Sequence, residues 1–340
     1  MAGTRGGHVT PATIVDVARA AGVSKTTASD ALRGHGRVSD ATREAVLRAA
    51  SELGYAINRS ARSLRTATTG AIGLYIPQVV FRSEHYLSFV YGVVDVAAGF
   101  DYDVTVIVAG EEARPNYAPH VDGLVMIDPA EGDAMVERLL AMGLPVVSSE
   151  RFPSGQQPTG VVWSDHGAYT RVLLDHLAER GAHRPALLAS ATVSDWSIGI
   201  QESYLAWCRD HGVEPAVAVA TFGTDASQAQ AEAAALLERE PDIDALIGAS
   251  DGFAAAVAPV VTAAGRTIGE DLLLASCVDN SALRAMHPSV TAIDTKGGEA
   301  GAECARLLFR LLSGETERGA SIELPLELHV RESTQGRSQG

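Results

Sequence analysis

Between Thr13 and Tyr55 the apolar positions form three short helical patterns with marked ends. Ile14, Val17, Ala18 and Ala21 recur at i, i+3, i+4 and i+7, and Thr13 with Asp16 resembles a capping box at the start. Gly22 supplies the left-handed residue that stops this helix. Ser24 is placed to cap a second helix that turns Ala28, Ala31 and Leu32 inward, and Gly34-His35-Gly36 breaks it. Ser39 caps a third helix, with Val46, Ala49, Ala50 and Leu53 as its stripe and Gly54 as its stop. Three short helices, the first two joined by a tight glycine turn, spell a helix-turn-helix.

Residues 56–69 break the pattern. They are polar, basic and poor in core formers, which on pattern alone is a solvated linker. From Gly70 onward, strand-like runs alternate with helical stretches. The strands are expected at Ala71–Ile76, Val104–Ala109, Gly123–Ile127, Pro145–Ser149, Ala186–Ser190, Ala245–Ala249 and Leu272–Cys277. The helices are expected at Tyr86–Ala98, Met135–Met142, Tyr169–Arg180, Ser203–His211, Gln228–Glu238 and Phe253–Ala264. That alternation predicts doubly wound α/β sheets.

Charge sharpens the division. The chain carries a net −15, which alone disfavours nucleic acid as a partner. Its first 66 residues nevertheless hold ten Lys/Arg against five Asp/Glu, a +5 head on a −20 body. Such asymmetry is expected when only the head approaches phosphates. With 46% hydrophobic residues, the 340-residue chain can bury two or three cores and is not a disordered polymer. No apolar run reaches membrane-span length, and residues 1–12 lack a signal-peptide core, so a cytoplasmic protein without a membrane partner is expected. Cys208, Cys277 and Cys304 stand singly among apolar neighbours, as buried thiols do.

Catalysis finds little support. Asp101/Asp103 and Asp242/Asp244 flank strand starts, where Asp is a turn residue, and no His pairs with Cys or Glu at metal-ligand spacing. No Gly-x-Gly-x-x-Gly follows a strand, which weakens a nucleotide-binding reading. The expectation is a non-enzyme with neither cofactor nor metal.

The segment Thr13–Leu32 (TIVDVARAAGVSKTTASDAL) closely resembles the opening of LacI/GalR repressors. The likeness continues through Arg37–Val46, Leu53–Tyr55 and Asn58–Leu64, with weaker echoes at Val121–Met126, Gly143–Val147, His176–Leu188 and Leu328–Ser333. It implies an all-α helix-turn-helix DNA-binding domain plus an α/β periplasmic-binding-protein-like sensor of two doubly wound subdomains. The boundaries expected are 1–57 for the DNA-binding domain, 58–69 for a hinge helix and 70–340 for the sensor. The sensor's first subdomain would take about 70–163 and 294–320, the second about 164–293 and 321–333, with crossings near Ser164, Ile293 and Ala320. The expected partners are operator DNA, a small-molecule effector and a second copy of the chain, as a homodimer or a pair of dimers. A solute-binding sensor without DNA function is the alternative, and the basic head argues against it.

A helix in the major groove offers its first turns to base edges, here Lys25, Thr26, Ser29 and Asp30. Lys25 can donate to guanine, Asp30 can accept from cytosine, and Thr26 can touch a thymine methyl. The resemblance makes Lys25, Thr26 and Asp30 base readers, with Asp30 where the family often has a basic residue. Ser24, Thr27, Arg37, Ser39, Thr42 and Asn58 fit phosphate contacts, although Ser24 and Ser39 also serve as caps. The resemblance also turns the linker into a hinge: Leu64 matches a minor-groove wedge and Ala61 a small residue against the groove, with Arg62 near the backbone. In the sensor, Asp279 matches an acidic position that bonds ligand hydroxyls, and Ser250 and Asp251 match another lining site. Trp163, Trp196 and Phe222 are either walls of a ligand cleft or core residues. Ile200 stands where the family often places an effector-clamping arginine, and Ala109–His120 is short for the helix usually found there.

Overall fold

The computed structural model describes residues 12–33, 38–55, 68–77, 83–108, 119–130, 132–152, 155–191, 193–221 and 226–336. They divide into two units, residues 1–69 and 70–340.

In the first unit α1 (Ile14–Ala20), α2 (Lys25–Arg33) and α3 (Asp40–Glu52) pack around Val17, Ala18, Ala28, Ala31, Val46, Ala49 and Ala50. The ends are set by side chains. Thr13 and Asp16 cap α1 reciprocally, Ser24 Oγ accepts from Thr27 N at 3.0 Å, and Ser39 Oγ accepts from Thr42 N at 3.3 Å. Gly22 and Gly54 take φ of +67° and +60°, where a side chain would be strained. Leu53 departs from the expected stripe. It is 41% exposed because it is the C-cap of α3, past the last inward turn, and Tyr55 packs against the cluster instead.

The second unit holds two six-stranded sheets. In chain order its elements are β1 (Ala71–Ile76), α4 (Glu84–Gly99), β2 (Asp103–Val108), β3 (Leu124–Met126), α5 (Ala134–Ala141), β4 (Val146–Ser148) and β5 (Gly160–Trp163). Then come α6 (His166–Glu179), β6 (Pro185–Ser190), α7 (Asp195–His211), β7 (Ala216–Ala220), α8 (Ala226–Arg239), β8 (Ala245–Gly248), α9 (Phe253–Ala263) and β9 (Leu273–Ser276). Last are α10 (Ser281–Ala285), β10 (Thr291–Asp294), α11 (Gly297–Ser313), β11 (Ala320–Glu323) and β12 (Glu327–His329). The first sheet runs β11-β5-β4-β3-β1-β2, all parallel; the second runs β12-β10-β9-β8-β6-β7, with β12 alone antiparallel. Helices cover both faces of the central strands, so β1, β3, β6, β8 and β9 read as near-continuous apolar runs.

The chain passes between the two lobes after β5, after β10 and after β11. At the first passage Ser164 Oγ donates to Leu324 O at 2.9 Å. The third falls at Leu324, later than the Ala320 expected, because β11 pairs with β5 along Ala320–Glu323 and so completes the first sheet.

Glycine brings α4 and α11 into backbone contact. A Cβ on Gly92 would lie 2.1 Å from Gly298 O, and one on Gly301 would lie 2.1 Å from Phe89 O. No rotamer relieves such a clash, so the helices would have to part. Gly99, at the end of the same helix α4, has open space around its Cβ position. Gly92→Ala should therefore lower the unfolding free energy by about 1–3 kcal/mol, as overpacking does. Gly99→Ala should leave it unchanged or raise it by about 0.5–1 kcal/mol through lost chain entropy. Urea unfolding of both variants checks this; equal effects would mean that the helix contact can relax freely.

Candidate functional site

On the first unit, Lys25 and Thr26 are exposed at the start of α2, while Ser29 and Asp30 are half-buried further along it. Ser24, Thr27, Ser39 and Thr42 form two hydroxyl pairs, Ser24 with Thr27 and Ser39 with Thr42, each at 2.8 Å at a helix start. The caps are thus built, and their hydroxyls lie where helix N-termini can meet phosphate. Arg37, Asn58, Ala61, Arg62 and Leu64 lie outside the described residues, as does Phe222.

The second unit has a cleft between its lobes, about 430 Å³ when its opening to solvent is included. Both sheets supply its walls from the carboxyl ends of their strands, where ligands bind in open α/β folds. Ser83, His85 and Tyr86 follow β1, Asp128 follows β3 and Glu150 follows β4, while His166, past the first crossing, opens α6 of the other lobe. From the other lobe come Trp196 and Ile200 on α7, Ser250 and Asp251 after β8, Val278 after β9 and Thr295 after β10.

Polar contacts close the cleft. Ser83 Oγ donates to Asp251 at 2.6 Å, and His85 Nδ1 meets Thr295 Oγ1 at 2.8 Å. At the rim Glu84 accepts from Ser281 N at 2.7 Å and from Arg284 at 2.9 Å, and these bonds hold its carboxyl below the usual range. Deeper, Glu150 Oε1 lies 2.9 Å from His166 Nε2, with the two side chains 9% and 13% exposed. Burial pushes the Glu150 carboxyl up to about 7, against the opposing pull of His166. Burial works against charge on His166 too, but Glu150 wins and holds its pKa above the usual imidazole value. His85 goes the other way: burial lowers it, so its ring stays neutral. Asp128 sits at φ +42° and accepts from Tyr86 Oη at 2.8 Å.

Three buried polar atoms of residues lining this cleft, Glu150 Oε2, Trp196 Nε1 and Ser250 Oγ, have no hydrogen-bond partner among the described residues. Each such atom costs about 1–3 kcal/mol when left unpaired.

Of the residues named from sequence, Trp196, Ile200, Ser250 and Asp251 meet in this cleft. Asp279 does not line it: Arg331 takes both of its carboxylate oxygens at 2.8 and 2.7 Å, and Arg284 adds a third bond at 2.9 Å. Burial disfavours its charge, but those guanidiniums keep its carboxyl below the usual range. Trp163 also lies elsewhere, its Nε1 donating to Ser321 at 3.0 Å and its ring covered by the Arg151 guanidinium. His85, Tyr86, Asp128, Glu150, His166 and Thr295 escaped the sequence reading. Asp128, Glu150, His166 and Thr295 do share one signal, as polar residues just past a strand's end. Three of the four carboxylates read as turn residues have structural roles: Asp244 accepts from the backbone of His183 and Arg184, Asp242 pairs with Arg184, and Asp101 holds a turn at φ +59°. All three cysteines are buried free thiols.

The Glu150–His166 pair has a testable signature. The native chain holds protons on both groups that an unfolded chain would release between about pH 4.5 and the region of pH 7. Their contribution to stability is therefore present at the acid end and lost as pH rises. His85 and His176, both lowered by burial, pull in the opposite sense, so the comparison must be made against Glu150→Gln. The melting temperature of the native chain relative to that variant should fall steadily from about pH 5 to about pH 8. A difference that grows with pH would disprove the pairing.

Comparison with known proteins agrees with the geometry. Residues 13–58 match the family described as bacterial regulatory proteins, lacI family, and residues 174–334 match a periplasmic binding protein-like domain. The chain is 32% identical over 338 residues to the HTH-type transcriptional regulator CelR of Thermobifida fusca, covering 94% of this chain and 98% of that one. It is 30% identical over 331 residues to the ribose operon repressor of Halalkalibacterium halodurans, covering 95% and 97%. A solved structure of a CelR–cellobiose complex superposes with a TM-score of 0.70 at 28% identity, covering 95% of this chain and 99% of that one. An exposed recognition helix on a basic head, a two-lobed domain with a polar cleft, and likeness along nearly the whole length lead to one conclusion: the chain belongs to the lacI family and is a DNA-binding transcriptional regulator.

Proposed function

We propose that this regulator is a repressor that binds a pseudo-palindromic operator as a homodimer and is controlled by a small polyhydroxylated effector in its cleft. The observation that carries the effector half is the buried, unpartnered donors Trp196 Nε1 and Ser250 Oγ on residues that line the cleft. Ligand hydroxyls would complete those hydrogen bonds, and a sugar ring would pack on the aromatic surface. The relatives support the class: one is named as a ribose operon repressor, and a structure is titled as a cellobiose complex.

Dimerisation is supported by an apolar stripe along α4. Leu87, Tyr91 and Val94 are 44%, 72% and 43% exposed, and Val106 and Val108 lie exposed on the edge strand β2. A two-fold pairing of such faces would place two recognition helices on symmetric half-sites. In this reading Lys25, Thr26, Ser29 and Asp30 read bases, while Ser24, Thr27, Ser39 and Thr42 hold phosphates. No helix among the described residues is long and apolar enough to cross a membrane. A regulator of this kind works in the cytoplasm, beside the chromosome, and performs no catalysis.

Operator selection from random duplexes with the full chain, followed by a sugar screen for release or recruitment, tests the reading. Absence of a selected sequence would overturn the repressor assignment. Given an operator, Lys25→Ala and Asp30→Ala should each change preference at one base position per half-site, by about 1–3 kcal/mol. Uniform weakening across operator variants would instead make both residues phosphate or structural contacts.

A further inference from the structure

We infer that the effector is cationic: an amino sugar or a similar hydroxyl-bearing protonated amine, its ammonium group held by Asp128 and Asp251. The inference rests on the effector reading above and adds the ligand's charge.

Three carboxylates line the cleft, and among the described residues no lysine or arginine lines it with them. Glu150 is matched by His166. Asp251 has no cation paired with it, and Asp128 feels the His166 charge without forming an ion pair with it. Asp128 accepts from the Tyr86 hydroxyl, and Asp251 accepts from Ser83 Oγ and Asn280 Nδ2, each at 2.6 Å. Neutral donors solvate these charges without cancelling them, so the cleft keeps a negative potential in a half-dry space. A phosphorylated or carboxylated ligand would meet that potential with no counter-charge, and like-charge contact is costly. Ile200 brings only an alkyl side chain to this wall.

A second observation points to a ligand independently of the carboxylates. Trp196 is 8% exposed and Ser250 1%, and their unpartnered Nε1 and Oγ both belong to the cleft wall. The indole N–H can only donate, so it asks for a hydroxyl or ring oxygen. A bare metal ion does not fit, since no group of three or more His, Cys, Asp or Glu among the described residues is placed to hold one. Acceptors for an ammonium group and a donor for a hydroxyl describe a ligand that has both.

The test is calorimetric titration of the full chain, near neutral pH, with matched sets. Glucose, glucosamine and N-acetylglucosamine form one set, with the galactose and mannose series as the others. In at least one ring configuration the amine should bind about tenfold or more tighter than the neutral hexose. N-acetylation should remove that advantage, and Asp128→Asn should narrow it several-fold. A neutral hexose binding as tightly as its amine, or glucose 6-phosphate binding tighter than both, would overturn the charge assignment and leave the cleft as a polyol site. If no member of any set binds, the amino-sugar class is wrong; release of the selected operator by a different ligand would then show that the effector reading itself survives.

Discussion

Backbone contact between α4 and α11 fixes most of the geometry at the mouth of the cleft. Gly92, Gly298 and Gly301 let the two helices touch without intervening side chains. Both helices begin at the cleft: α4 opens with the rim residues Ser83 to Tyr86, and α11 opens where the chain returns from the second lobe. Gly297 continues the contact to the rim, since a Cβ there would lie 2.6 Å from His85 O. The result is a rigid corner. His85 is set against Thr295, and Lys296 is held at φ +49° with its N–H donating to Asp294. Strained residues of this kind, at about 1–3 kcal/mol each, persist where surrounding structure dictates them. Asp128, on the same side of the cleft and bonded by Tyr86, is another.

That corner decides the electrostatics. Side chains at the ends of parallel strands converge, and here the convergent ones are acids and imidazoles. Burial then separates their behaviour. His85 loses its charge, while His166 keeps it only because Glu150 is 2.9 Å away. Neither could be assigned from its sequence neighbours, since both are lone histidines near helix starts.

Such positions mark the boundary of what the sequence could tell. The first unit was legible almost to the residue, because Thr13, Ser24 and Ser39 act locally and Gly22 and Gly54 require positive φ. Leu53 failed since periodicity continues past a helix's last buried turn. The central strands were legible as apolar runs bounded by turns. Helix α11 was not: its first turns are Gly297, Gly298 and Gly301, poor helix formers selected by a contact with α4 that no local pattern records. Strands β5, β10, β11 and β12 were too short to show a period. In the cleft, Ser250 and Asp251 followed from a strand end and the family likeness, while Trp196 could be read only as either wall or core. Asp279 shows where the likeness fails to predict a contact, because its occupancy depends on Arg331 and Arg284, the former 52 residues away in sequence.

Magnitudes then say what must hold the lobes together. The rim pair Glu84–Arg284 is 42% and 48% exposed on its two sides, so solvent screening limits it to about 0–1 kcal/mol. The Glu150–His166 pair is buried, but desolvation offsets much of its attraction. Moving a two-state equilibrium from 1:99 to 99:1 requires about 5.5 kcal/mol of differential binding. The rim contacts cannot supply that. A ligand that pairs Trp196 Nε1 and Ser250 Oγ on the second lobe while also reaching Asp128 on the first recovers about 1–3 kcal/mol for each of those two atoms. The unpaired atoms are thus better placed than the ion pairs to make closure depend on the effector. The rim pairs set the direction in which the lobes meet, and the empty hydrogen-bonding positions set how much closure depends on what fills them.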